Sequence, residues 1–184
     1  LVPAFILGLR YDMRAVCLIL LVLWMAGSIP VLNPFRGNRQ YRLWMIGWYV
    51  LSFVFIFFYS VDLAHYSYLA QRLNASVLGY LEDTGISAEM VWQSYPVIRI
   101  LLLIIAVTLG VGFVFRKTYQ NTARQVTPPP KRKRVLLVTL IVLFSCTAIF
   151  GRFNQYPLRW SDAFAMGSDY KANLALNPFE SFFN

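Results

Sequence analysis

Apolar residues in this chain gather in four long runs instead of the short alternations of a soluble fold. They occupy residues 15–32 (AVCLILLVLWMAGSIPVL), 43–61 (LWMIGWYVLSFVFIFFYSV), 97–115 (VIRILLLIIAVTLGVGFVF) and 135–150 (VLLVTLIVLFSCTAIF). About 20 helical residues cross the ~30 Å hydrocarbon core of a bilayer, so each run predicts a transmembrane helix. The last is the shortest, about 24 Å at 1.5 Å per residue. Arg134 and Arg152 flank it, however, and their long side chains can snorkel to the two interfaces. The expected fold is therefore an all-α integral membrane bundle of four spans. The opening LVPAFILGL is too short to cross and reads as the end of a fifth helix lying before Leu1.

Between the second and third runs the pattern changes. Leu63, Tyr66, Leu69, Leu73, Val77 and Leu81 recur at spacings of three and four, the period of an amphipathic helix, until Asp83-Thr84-Gly85 breaks it. A second helix is expected from Ser87, with its hydroxyl as N-cap and Glu89 in the first turn, ending before Pro96. Two such helices would lie along the membrane surface, with Gln71, Arg72, Asn74, Glu82 and Asp83 toward headgroups. A packed cap over the bundle is the alternative. After residue 150 the tail GRFNQYPLRWSDAFAMGSDYKANLALNPFESFFN is rich in Asn, Pro and aromatic residues. Ser161 is expected to cap a short helix, and Phe153, Tyr156 and Trp160 suit an interface. The tail reads as a juxtamembrane linker.

Composition agrees with the runs: 58% of the 184 residues are hydrophobic and only 14% charged, against about 25% charged in soluble domains. Charge then orients the bundle. Residues 33–42 and 116–134 contain Arg36, Arg39, Arg42, Arg116, Lys117, Arg124, Lys131, Arg132, Lys133 and Arg134, and no acidic residue. All eight acidic residues fall on the other side. By the positive-inside rule the two basic loops are cytoplasmic, and residues 62–96 and 151–184 lie outside, in a periplasm or at a cell surface. The net charge of +9 does not indicate nucleic acid, because the basic residues sit between membrane runs; KRKR is a topology signal and a contact for anionic lipid.

Chemistry within the chain is sparse. His65 is the only histidine, so it cannot nucleate a multi-histidine metal site, and beside Tyr66 and Tyr68 it reads as a hydrogen-bonded structural residue. Cys17 and Cys146 sit in apolar runs without metal or disulfide spacing. Gly110 and Gly112 lack the context of a dinucleotide loop and instead allow close helix packing. No cofactor motif emerges in this chain.

Charges near membrane depth are costly and often functional. Arg10, Asp12, Arg14, Asp62, Arg99 and Arg152 all fall at the outer ends of the runs. One reading makes Arg10, Arg14, Arg72, Arg99 and Arg152 a set of forked donors for an anionic lipid headgroup. The other is structural, with Asp12 or Asp62 paired to Arg99 to fasten the bundle.

The segments GLRYDMR, FYSVDLAHYSYLAQRLNASVLGYLEDTGISAEMVWQSYP and GRFNQYPLRWSDAF followed by LALNP together resemble the membrane region of the lipoteichoic acid synthase-like phosphoglycerol transferases, of the sulfatase and alkaline phosphatase superfamily. That resemblance implies five amino-terminal spans followed by an extracellular catalytic domain. The domain would use a Thr nucleophile and manganese or magnesium to move glycerol phosphate from phosphatidylglycerol to an envelope polymer. None of those catalytic residues maps onto this chain. Some members of the family transfer phosphoethanolamine or have lost activity. The alternative function is a non-catalytic subunit or scaffold that binds a protein partner or oligomerises. A small transporter is opposed by the absence of charge in the middle of three runs, with Arg99 near an end of the other.

Overall fold

A computed structural model describes residues 1–81, 84–124, 130–152 and 155–183. The expected contacts of Glu82, Asp83 and Phe153 lie outside these residues. Among the described residues the chain is helical and contains no strand. Four long helices form the bundle: α1 (Val2–Ser28), α2 (Asn38–Leu69), α4 (Val97–Arg124) and α5 (Lys131–Phe150). A 3-10 helix, Ala75–Leu81, and α3 (Thr84–Ser94) lie between α2 and α4. Three short helices follow in the tail: α6 (Ser161–Phe164), α7 (Asp169–Ala175) and α8 (Pro178–Phe182).

Among the described residues three helices are long and apolar enough to cross a membrane: Asn38–Leu69, Val97–Ala123 and Lys131–Phe150. These make the chain a helical, multi-pass membrane protein, and the remaining expected run, 15–32, behaves differently. Residues 15–32 do not form one helix, because α1 stops at Ser28 and Ile29 is extended (ψ 125°). Pro30 is the cause: its ring disfavours the α conformation at the preceding residue, and it has no N–H to continue the ladder. Within α1 the apolar stretch from Ala15 to Ser28 rises only about 21 Å. The half before it contains Arg10, Asp12 and Arg14.

The loop elements also depart from the periodicity. The pattern from Leu63 to Leu69 continues α2, which ends when Ala70 takes the left-handed conformation (φ 55°) and its N–H bonds the Tyr66 carbonyl. The chain reverses there, so Leu73 and Val77 do not share a helix with Leu63. α3 begins at Thr84, three residues before the expected Ser87 cap, and Glu89 accepts a bond from the Gln93 amide (3.0 Å). Ser161 is the first residue of α6 and caps nothing; Asp162 instead accepts from the Arg159 N–H (2.8 Å) and closes the entry turn.

Helices pair as α2 with α4 and α1 with α5. At one end of the α2/α4 pair, Tyr119 stacks on Phe35 (5.0 Å) and donates to the Pro34 carbonyl (2.9 Å), joining the 29–37 loop to the end of α4. Trp48 stacks on Phe115 at 4.0 Å. One turn further along α4, Gly112 sits against the Tyr49 ring so closely that a Cβ would overlap it. Gly110, by contrast, has nothing within 4 Å of where its Cβ would lie. Gly112→Val is therefore expected to destabilise the bundle by about 1–3 kcal/mol through overpacking. Gly110→Ala should be neutral or slightly stabilising, because it relieves backbone entropy without a clash. Unfolding in mixed SDS micelles compares the two, and equal stabilities would refute this account of the packing.

The membrane-facing helices expose large apolar side chains along their length, among them Leu102, Leu103, Phe113, Leu136 and Phe144. That surface would aggregate in water and suits hydrocarbon. The best-packed core lies elsewhere, where the tail meets α1. Tyr11, Leu158, Ala163, Ala172 and Leu176 form a buried cluster, with Leu7 and Trp160 against it. Gly151 makes the turn into this cluster possible: it takes φ +70°, where an L side chain is strained, and a Cβ there would press on Leu158.

Candidate functional site

The polar residues near membrane depth come together at the end of the bundle where the tail is seated. Tyr11 is fully buried, and its hydroxyl donates to the Arg159 carbonyl (2.7 Å). One turn on, Arg14 donates to the Leu158 carbonyl (2.9 Å) and pairs with Glu180 (3.2 Å). Asp12 accepts from the Asn177 amide (3.1 Å) and, more distantly, from the Tyr59 hydroxyl (3.4 Å). Tyr11, Asp12 and Arg14 of α1 thus hold two parts of the tail, residues 158–159 and 177–180.

α2 contributes a second anchor. Asp62 is buried (1% exposed); it accepts the Leu73 N–H (2.9 Å) and pairs with Arg72. Arg72 also donates through Nε to the Asn173 carbonyl at the end of α7 (2.7 Å) and lies over the Tyr66 ring. The expected pairing of Asp12 or Asp62 with Arg99 is not what forms. The reversal at Ala70 brings Arg72 back over the last turns of α2, where it meets Asp62 first.

The five arginines read as headgroup donors accordingly fall into two groups. Arg14, Arg72 and Arg152 are committed to ion pairs with Glu180, Asp62 and Asp162 respectively. Arg10 and Arg99 are exposed and have no ion-pair partner among the described residues. His65 bonds the Gln71 carbonyl through Nδ1 (3.0 Å), a structural contact within the reversal.

Several residues that build the site have no marked sequence signal. Phe179 packs among Phe55, Phe58 and Tyr59, with ring centroids 4.6, 4.9 and 5.9 Å away, and so fixes α8 against α2. The Asn177-Pro178-Phe179-Glu180 sequence could have revealed α8: Asn177 caps it by accepting from the Glu180 N–H (2.8 Å), and Pro occupies the first helical position. What α8 would dock against was not readable from that motif.

Two cavities open at this end. One, of about 620 Å³, lies between α1 and the tail and is lined by Arg14, Leu18, Arg159, Trp160, Phe179 and Glu180 among others. The other, about 480 Å³, is an almost wholly apolar groove between α2 and α4 beneath α3. α3 also exposes Ile86 and Trp92. Among the described residues no three His, Cys, Asp or Glu side chains gather, so the manganese or magnesium implied by the resemblance finds no donor set here. The arrangement can bind and orient an amphipathic anion; nothing in it supplies a nucleophile with an adjacent base. No family model matches the chain, no curated protein matches it, and no solved structure matches it.

Proposed function

We propose that this chain is the membrane part of a phosphoglycerol transferase that draws on phosphatidylglycerol, with the tail side outside a bacterial cytoplasmic membrane. In this reading α1, which runs alongside α5, is a fourth crossing element, and a fifth precedes it. The metal-dependent catalytic domain follows the tail and takes its manganese or magnesium there.

The observation that carries the proposal is the seating of the tail. Residues 158–179 of the tail are held by Tyr11, Asp12 and Arg14 of α1, by Arg72 after α2, and by Phe179 against α2. A flexible tether needs none of these contacts. A rigid seat would instead hold a following domain at fixed height above the lipid from which it draws its substrate, which lowers the entropy of bringing headgroup and catalyst together. The exposed Arg10 and Arg99 would gather anionic lipid beneath that domain.

The test uses the full-length protein in phosphatidylglycerol vesicles with manganese and measures diacylglycerol release. Release is expected, and its absence would overturn the proposal. Arg10→Gln and Arg99→Gln should each raise the lipid requirement about fivefold, from roughly 1 kcal/mol per arginine near an anionic surface, without changing kcat. Arg72→Gln is less informative here, because it strands the buried Asp62. Stoichiometric co-purification with another membrane protein, without diacylglycerol release, would favour a scaffold.

A further inference from the structure

We infer that the cavity between α1 and the tail is a binding site for the phosphodiester headgroup of a membrane lipid. The chemistry of its wall is one-sided. Trp160 lines it with its indole ring, whose N–H is buried out of reach of the cavity surface. Arg159 adds a guanidinium that lies over the Tyr156 ring and has no ion pair among the described residues. Arg14 brings a second guanidinium, of which one terminal nitrogen bonds Leu158 and Glu180. Ser161 adds a hydroxyl at the rim. Against two cations stands one carboxylate, Glu180, already paired with Arg14.

Such a wall suits a ligand that brings acceptor oxygens and a single negative charge. The remaining lining is Ala15, Leu18, Pro157, Leu158, Phe179 and Phe183, which gives the same cavity an apolar side where α1 continues down toward the hydrocarbon. A phosphodiester with an attached acylglycerol satisfies both halves at once. A free phosphate would leave the apolar half wet, and a zwitterionic lipid would place a third cation beside Arg14 and Arg159. The choice of phosphatidylglycerol as the lipid rests on the proposed transferase function; the site itself does not.

The full-length protein is placed in nanodiscs of mixed phosphatidylglycerol and phosphatidylcholine, and lipid retained after release is read by native mass spectrometry. One phosphatidylglycerol should be held in preference to phosphatidylcholine. Arg159→Gln should weaken retention about tenfold. Equal retention of both lipids, or retention unchanged in Arg159→Gln, would overturn the site. Displacement of the bound lipid by glycerol phosphate at matched concentration would overturn the lipid source and leave a soluble phosphate ester as the ligand. Selective retention in a protein that releases no diacylglycerol would support the site while refuting the transferase reading.

Discussion

Replacing Asp62 by Ala is expected to cost about 3–5 kcal/mol and to release the end of α7 from the bundle. The carboxylate is 1% exposed and has two partners, the Arg72 guanidinium and the Leu73 N–H. Removing one member of a buried pair leaves the other charge uncompensated, which is far worse than losing an exposed bridge. Arg72 would turn toward solvent, and its bond to the Asn173 carbonyl would go with it. The measurement is SDS unfolding combined with limited trypsin digestion at Lys171, two residues before Asn173. The double variant Asp62→Asn with Arg72→Gln should recover part of the loss, since it removes both charges together. If Asp62→Ala cost less than about 1 kcal/mol, the pair would belong with exposed surface bridges.

Tyr11→Ala should be comparably severe, at about 3–5 kcal/mol, because it empties the centre of the cluster that joins α1 to the tail. Tyr11→Phe isolates the hydroxyl. It keeps the ring and loses the bond to the Arg159 carbonyl, so about 1 kcal/mol is expected. The contrast between the two separates packing from hydrogen bonding. Both should increase trypsin cleavage after Arg159, and Tyr11→Ala should do so by far the more. Equal effects would mean that the hydroxyl, and not the buried ring, holds the tail.

These sites differ in how far they could be foreseen. The spans at 43–61, 97–115 and 135–150 fall within α2, α4 and α5, because lipid requires every lipid-facing position to be apolar and helices satisfy their own backbone groups. The end of α3 before Pro96 was equally legible, since proline restricts the residue before it. The same rule acting at Pro30 shortened α1, although the apolar run itself continues across the break. The amphipathic pattern through Leu73 and Val77 misled for a related reason: periodicity does not register a single left-handed residue at Ala70 that redirects the chain.

The candidate site lay further from view. Its arginines stood out because charge at membrane depth is expensive, but their partners did not. Arg14 meets Glu180 across 166 positions, Tyr11 meets the Arg159 carbonyl across 148, and Arg72 meets the Asn173 carbonyl across 101. Nothing local ties such residues together. The tail, with its Asn, Pro and aromatic side chains, reads as a linker one segment at a time; only when Ala172 and Leu176 close on Tyr11 does it become a packed seat.

By itself the sequence determined that this is a helical membrane protein, and it located the helices most exposed to lipid, because the bilayer acts on each segment separately through transfer free energy and backbone hydrogen bonding. Tertiary structure alone decided which charges are paired, that Arg14, Arg72 and Arg152 enter ion pairs while Arg10 and Arg99 have none among the described residues, and that a cavity forms beside Trp160. Those outcomes depend on distances between residues far apart in the chain, which are set by how helices pack and where the chain reverses.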